Sequence, residues 1–275
     1  MKTFVSWSGN KSKYIKYIAH HIPDSFNTYI EPFVGSGALF LYLTPSKWII
    51  NDKNKDIINV WNTVKNDLVN MMAQIKRFGR SFVGMDKTQR IELCKRLIPK
   101  IPELAYETKR ATQFVLMKFC SFMGNIIVRD KFKYLGLETH LYEKDKPVYF
   151  FSTKYMKLLK DVHTFLNSTN GKIYNKDYKS ILSKAKPGDF VFLDPPYIEE
   201  HDYQFNYNVG ESLNNDFLYE LLEQVKMLDK KDVKWIMTQA DTVDVRKCFK
   251  QYDIITFPVV RGYSNTHKFE LIIKN

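Results

Sequence analysis

Asp194-Pro195-Pro196-Tyr197 directly follows Phe190-Val-Phe-Leu193, an apolar run that reads as a buried strand. In open α/β sheets ligands bind beyond the carboxyl ends of the strands, so these four residues fall where chemistry is done. Each proline fixes its own φ and keeps the residue before it extended, which makes the segment stiff. Neither proline has an N–H, so the segment offers a carboxylate and carbonyl oxygens, a cluster of acceptors. Such a clamp suits a nitrogen that carries two N–H donors, an exocyclic amine. Tyr197 adds a flat ring on which a base can stack. The plain alternative is a proline turn with an exposed tyrosine, and the strand before it favours the clamp.

A second segment, Glu31-Pro-Phe-Val-Gly35-Ser-Gly37, also ends a β-like run. Its glycines permit a tight turn and close backbone approach, and a helix N-terminus after them favours negative charge. By itself the Gly-x-Gly pattern equally resembles the loop of a nicotinamide-cofactor fold. Asp52 stands fifteen residues after Gly37, at the end of Trp48-Ile-Ile-Asn-Asp52. In dinucleotide folds an acidic residue about 20 positions on takes the ribose hydroxyls; a helix-capping aspartate is the other reading.

Hydrophobic periodicity supplies the elements that must hold these residues. Tyr14, Ile15, Tyr17, Ile18 and His21 fall at helical spacing, and Pro23 closes that helix. Ala38–Leu43 reads as a helix opened by the glycines, Trp48–Asp52 as a strand, and Asp56–Ile75 as one long amphipathic helix. Strand, glycine turn, helix, strand is the start of a doubly wound α/β sheet. The rhythm returns with strands at Gly171–Tyr174, Phe190–Asp194 and Lys234–Thr238, and closing strands at Tyr252–Arg261 and Lys268–Lys274. Helix or turn at Tyr178–Ala185 and helices at Asn214–Leu228 and Val243–Gln251 separate them. Residues 78–169 break the pattern, being helical and basic with short irregular runs. The expected organisation is a catalytic domain of residues 1–77 and 170–275 with residues 78–169 inserted.

The 275 residues, 44% hydrophobic and 15% aromatic, suffice for a sizeable core, and a typical domain of about 150 residues makes one or two domains. Lys and Arg number 42 against 30 Asp and Glu, a formal charge of +12 that favours a polyanion, nucleic acid before an anionic membrane surface. No apolar run approaches the roughly 20 residues of a membrane span, and the N-terminal stretch lacks the apolar core of a signal peptide. Cys94, Cys120 and Cys248 are too scattered for a disulfide framework or a zinc site, which suits a reducing compartment. His20 and His21 end a helix, and His163, His201 and His267 are isolated, so no metal site is expected. Trp61 and Trp235 fall on apolar positions and read as core.

In combination the glycine turn, the acidic end of the second strand and the Asp-Pro-Pro-Tyr segment resemble the S-adenosylmethionine-dependent amino-methyltransferases. Within them the chain is similar to the DNA adenine methyltransferase family. Trp7-Ser-Gly-Asn-Lys11 is similar to that family's Trp-x-Gly-x-Lys segment. The family also places a target-recognition insertion between the glycine motif and the Asp-Pro-Pro-Tyr. The resemblance implies a Rossmann-like methyltransferase fold, an α/β fold with a mixed, mostly parallel sheet and a helical recognition insertion. It implies S-adenosyl-L-methionine as methyl donor and double-stranded DNA as substrate, with transfer to N6 of a flipped-out adenine. A cognate restriction endonuclease is an expected partner, and the expected location is the cytoplasm or the DNA compartment of a host cell or virus. The resemblance assigns catalysis to Asp194, Pro195, Pro196 and Tyr197. It assigns cofactor contacts to Trp7, Lys11, Phe33, Gly35, Gly37, Asp52, Asp177, Tyr178 and Asp194, and DNA contacts to Arg129, Arg261, Asn265 and Lys268.

The sequence departs from the family's insertion pattern. Gly124-Asn125 reverses an Asn-Gly pair, Arg129 follows, and Lys131-Phe-Lys-Tyr-Leu-Gly136 replaces Phe-Asn-Val-Pro-x-Gly. This bears on the recognised site more than on the reaction. Arg129 either reads a base edge or holds phosphate or Asp130. Arg261…Asn265…Lys268…Glu270 keeps the family's order in shortened form. Two other classes stay open at this level: a catalytically silent DNA-binding module of the same fold, and a methyltransferase of cytosine N4, RNA adenine or a protein amide. Asp rather than Ser or Asn before the prolines leans towards adenine in DNA.

Overall fold

A computed structural model describes residues 1–82, 85–95, 107–129, 132–137, 151–197, 215–261 and 266–275. The chain divides into two compact units. One comprises Met1–Asn10, Gly35–Thr44 and Asn54–Ile173; the other comprises Lys11–Val34, Pro45–Lys53 and Tyr174–Asn275.

The second unit is organised by a sheet. Its strands are β1 (Tyr29–Glu31), β2 (Lys47–Asn51), β5 (Asn170–Tyr174, which crosses the division), β6 (Phe190–Leu193), β7 (Lys234–Ala240), β8 (Asp253–Arg261) and β9 (Thr266–Lys274). The order is β5-β2-β1-β6-β7-β9-β8. β1 runs parallel to β2 and β6, β6 runs parallel to β7, and β9 is antiparallel to both β7 and β8. This is the expected Rossmann-like sheet, mixed and mostly parallel. From β1 the chain turns to β2 on one side and later to β6 on the other. The carboxyl ends of β1 and β6 therefore flank a topological switch point, where open sheets bind ligands. Every residue of β1 and of β6 is buried, which is why β6 reads as a continuous apolar run, while in β1 the buried Glu31 accepts from the Tyr29 hydroxyl at 2.8 Å. On one face Ile30, Val191, Leu193, Trp235, Met237, Leu271 and Ile273 pack on α8 (Tyr178–Leu182), α9 (Asn215–Lys230) and α10 (Val243–Cys248).

Whereas α1 (Ile15–Ala19) belongs to the second unit, the first is largely helical: α2 (Ala38–Leu43), α3 (Lys55–Asn66), α4 (Leu68–Phe82), α5 (Lys87–Lys95), α6 (Thr108–Cys120) and α7 (Thr153–Ser168). Asn54 opens α3 by accepting the N–H groups of Asp56 and Ile57, and Ser152 opens α7 by accepting that of Tyr155. The single helix expected over Asp56–Ile75 is two. Asp67 interrupts it in a non-helical conformation, and its carboxylate accepts from Asn70 and from the Thr108 hydroxyl. A polar residue that bonds locally competes with the helix, and here it wins. The short irregular runs expected within residues 78–169 also differ, for β3 (Ser121–Arg129) and β4 (Phe132–Leu137) form an antiparallel pair with Arg129 opposite Phe132. Ile126, Ile127, Val128, Phe132 and Tyr134 are β-branched or aromatic types that suit strands.

Trp61 centres this unit's packing. It is fully buried, meets Phe4 edge-on at 4.8 Å and Phe40 at 5.8 Å, and its indole N–H donates to the Gly35 carbonyl at 3.0 Å. The Tyr155 hydroxyl donates to the Phe4 carbonyl at 2.6 Å, which holds the N-terminal segment in place. Trp61→Ala should lower the unfolding free energy by about 3–5 kcal/mol. Trp61→Phe should lower it by roughly 1–3 kcal/mol, through loss of the indole hydrogen bond to the buried Gly35. Urea denaturation reads both, and a loss below about 1 kcal/mol for the alanine variant would contradict this packing.

Candidate active site

β6 delivers Asp194 at its carboxyl end, in the middle of the sheet. Two groups meet the same carboxylate oxygen: the Thr238 hydroxyl of β7 donates to Oδ1 at 2.6 Å, and the Lys11 ammonium lies 2.9 Å from it. The side chains of Lys11 and Asp194 are 7% and 20% exposed. Burial raises the Asp194 pKa, Lys11 and Thr238 pull it down, and nearby Glu270 adds a smaller push upward. Among the described residues both close contacts fall on Oδ1, which leaves Oδ2 to accept a hydrogen from another group.

Lys11 begins a 3-10 turn, Lys11–Lys13, and its carbonyl accepts the Tyr14 N–H at 2.8 Å. Its ammonium also sits 4.7 Å from the centroid of the Tyr197 ring, a cation–π distance. The Tyr197 hydroxyl donates to Glu270 Oε2 at 2.9 Å, and burial, with Asp194 and Glu270 nearby, pushes its pKa well above the usual phenol range. Tyr197 is therefore a ring fixed at its far end by a hydrogen bond. Lys11, Asp194, Thr238, Tyr197 and Glu270 form one cluster in the second unit. Sequence reasoning missed Thr238, which stands 44 residues from Asp194 and has no local motif. Its only signal is a hydroxyl after the apolar run Trp235-Ile-Met237, in the strand beside the one that ends in Asp194.

A second cluster in the same unit lies where β1, β2 and β5 end. The Asn51 side chain donates to the Pro32 carbonyl at 2.9 Å and the Lys176 carbonyl at 3.0 Å, and accepts the Lys176 N–H at 2.8 Å. Asn175 donates to the Asp52 and Lys53 carbonyls at 2.8 and 3.1 Å. These two asparagines strap together the loops that carry Phe33, Asp52 and Asp177. Phe33 and Tyr178 bring their rings to 5.1 Å with a 34° tilt. Asp177 caps α8 by accepting the Lys179 N–H at 2.9 Å, and Asp52 is half-buried. The structure thus brings four expected residues together, and Asn51 and Asn175 join them as supports.

The first unit holds the other expected residues. Gly35 has φ +44° and Gly37 has φ +65°, conformations that strain any residue with a side chain. A Cβ on Gly35 would lie 2.6 Å from the Trp7 indole nitrogen, so Trp7 lies directly against the loop backbone. Lys118 of α6, 4% exposed, places its ammonium 4.7 Å from the Trp7 ring and 5.6 Å from the Phe114 ring. Burial lowers its pKa to about 8, against an upward pull from Asp56.

Of the residues expected to meet DNA, Arg129 ends β3, Arg261 ends β8 opposite Thr266, and Lys268 is exposed on β9 opposite Val259. Asn265 lies outside the described residues. Among the described residues no group of three or more His, Cys, Asp or Glu could hold a metal ion, and no helix is long and apolar enough to cross a membrane.

Comparison with known proteins agrees with this chemistry. A family model described as D12 class N6 adenine-specific DNA methyltransferase matches residues 7–262. Type II methyltransferase M1.LlaDCHI of Lactococcus lactis subsp. cremoris is 26% identical over 263 residues, covering 92% of this chain and 86% of the relative. Type II methyltransferase M.MjaIII of Methanocaldococcus jannaschii is 27% identical over 257 residues, covering 89% and 86%. The DNA adenine methylase of Escherichia coli is 22% identical over 271 residues, covering 96% and 90%.

Lys11 is the largest influence holding the Asp194 pKa down. Lys11→Met should therefore raise it further. The ionised carboxylate is the form lost as pH falls through that pKa, so its titration moves to higher pH. Carbon-13 NMR of the Asp194 carboxyl reads the shift, and an unchanged or lowered pKa would contradict the pairing.

Proposed function

The chain belongs to the D12 class of N6 adenine-specific DNA methyltransferases, and on that premise we propose how its own residues carry the transfer. The methyl donor is S-adenosyl-L-methionine, which supplies an electrophilic methyl group on a sulfonium. The residues present fit such a molecule. Phe33 and Tyr178 offer aromatic surface for its adenine, Asp52 a half-buried carboxylate for its ribose hydroxyls, and Asp177 lies in the same strapped loops. Trp7 fills the space that a Cβ on Gly35 would take, and Gly35 and Gly37 are buried glycines of positive φ, so the assignment of these three to the donor rests on the family resemblance. Asp194 and Lys11 complete the set.

The reaction's difficulty is the amine. The N6 lone pair of adenine is delocalised into the ring, so the nitrogen is a poor nucleophile. Asp194 Oδ2 and the Pro195 carbonyl accept its two hydrogens, which lets the nitrogen pyramidalise and aim its lone pair outward. Pro195 and Pro196 keep the carbonyls stiffly placed. Positioning and electrostatics then do most of the catalysis. Asp194 need not remove a proton beforehand; it stabilises positive charge growing on nitrogen, and its raised pKa suits it to take a proton afterwards. An adenine inside a duplex cannot reach this cluster, so the base flips out and stacks on Tyr197, whose ring Glu270 holds. The observation that carries this reading is the carboxylate of Asp194, held through one oxygen by Lys11 and Thr238.

Residues 1–77 and 170–275 act as the catalytic domain and 78–169 as the DNA-recognition insertion in this reading. Arg129, at the end of β3, reads a base edge, while Arg261, Asn265 and Lys268 meet the duplex from the β8–β9 region. The enzyme works wherever its DNA is held. The names of the type II relatives support a companion restriction endonuclease for the same site.

Asp194→Ala should lower turnover by roughly 10²-fold or more, with DNA affinity largely kept, because the lost group acts on charge that appears in the transition state. Calorimetric titration with S-adenosyl-L-methionine should show binding to the wild-type protein or its DNA complex. Near-normal turnover of the variant would overturn the role of Asp194, and absence of binding would overturn the donor. A randomised-site methylation library at two salt concentrations separates the roles of Arg129. Base reading predicts that Arg129→Ala relaxes one position of the site. Uniform weakening, with a salt slope flatter by about one unit, would assign Arg129 to phosphate.

A further inference from the structure

Tyr174, the last residue of β5, has no part in the chemistry above, yet positive charge is gathered on its ring. The ammonium of Lys176 lies 5.6 Å from the ring centroid and that of Lys184 lies 5.5 Å from it. Both are cation–π distances. All three residues belong to the second unit, and the ring is anchored there by packing against the apolar cluster of α8 and α9. The lysine backbones are anchored as well. The Asn51 side chain holds both the N–H and the carbonyl of Lys176, and the Lys184 N–H donates to the Ile181 carbonyl at 3.0 Å.

Nearby Lys179 pairs with Glu220 at 2.8 Å, whereas among the described residues neither Lys176 nor Lys184 pairs with a carboxylate. The acids close to them in sequence, Asp177 and Asp189, accept the backbone N–H groups of Lys179 and Lys186. A third ammonium, that of Lys231, donates to the Ser183 carbonyl beside Lys184 at 2.9 Å. Like charges drawn to one ring repel each other, and an anion placed against them relieves the repulsion. Exposed basic side chains around an aromatic ring are also the combination that tracks a nucleic-acid backbone. β5 is an edge strand of the sheet. Lysines at a sheet edge also discourage edge-to-edge pairing, and the experiment below separates the two roles.

We propose that Lys176 and Lys184, gathered on the Tyr174 ring, bind the phosphate backbone of duplex DNA whatever its base sequence. Each ammonium neutralises one phosphate, which adds affinity and no specificity.

The test is the salt dependence of binding to a mixed-sequence duplex, read by fluorescence anisotropy between about 50 and 200 mM salt. Lys184→Gln should flatten the log–log slope by about one unit, and the double variant Lys176→Gln with Lys184→Gln by about two. Lys184→Arg keeps the charge and should keep the wild-type slope. Lys234, exposed at the start of β7, is the reference: Lys234→Gln should stay within about half a unit of the wild type. Single-turnover methylation by Lys184→Gln at saturating DNA should match the wild type, because the patch acts on affinity. An unchanged slope for the double variant would overturn the proposal. Equal flattening by Lys234→Gln would do so too, since any surface charge would then serve alike. Aggregation of the variants at unchanged DNA affinity would assign the lysines to guarding the sheet edge and likewise overturn it. If the double variant does not fold, Lys184→Gln carries the test alone, and an unchanged slope overturns the proposal. Wild-type protein that binds no duplex would leave the patch no phosphate to meet, and would overturn it as well.

Discussion

The site depends on one half-buried carboxylate that is charged and held through a single oxygen. Asp194 ends a strand whose every residue is buried, so its charge is costly wherever it is not compensated. Lys11 and Thr238 compensate it on Oδ1, at 2.9 and 2.6 Å. Removing either partner of a buried ion pair costs about 3–5 kcal/mol, chiefly because the other charge is stranded. That cost ties the strand order to the chemistry. β7 must lie beside β6 to bring Thr238 within reach, and the turn at Lys11–Lys13 must place its ammonium over the strand end.

The neighbouring residues extend the same logic. Lys11 serves two acceptors at once, the Asp194 carboxylate and the face of the Tyr197 ring. Glu270, itself 5% exposed, fixes the far end of that ring. In the proposed reaction a base entering the cluster would meet a ring and a carboxylate whose orientations are already set, and the cost of ordering them was met on folding. The asparagine straps do the equivalent for the loops after β1, β2 and β5: Asn51 alone makes three hydrogen bonds across them.

Much of this was legible in the sequence because it is written locally. The run Phe190–Leu193 followed by two prolines announces both a buried strand and a stiff acceptor cluster, and the glycines with positive φ stand where a turn demands them. Strands and helices of the sheet half were placed by periodicity alone. What was not legible is what depends on residues far apart in the chain. Thr238 acts on Asp194 through strand pairing, which no local pattern encodes. Lys118 sits in a helix as lysines commonly do on solvated faces, and only the packing of Trp7 and Phe114 around it reveals its burial. The break at Asp67 was hidden because the apolar spacing continues through it, while the bond from Thr108 comes from 41 residues away. The β3–β4 pair was masked by a basic, aromatic composition that suits strand and loop alike.

The central claim is that Thr238 acts through Asp194, by orienting it, rather than on its own account. A double-mutant cycle in single-turnover methylation tests this most directly, with Thr238→Val and Asp194→Asn made singly and together. If orientation is its role, Thr238→Val slows the wild-type enzyme by about tenfold or more, the equivalent of one hydrogen bond to a charged group. In the Asp194→Asn background it then costs almost nothing further. Losses that simply multiply would contradict the account.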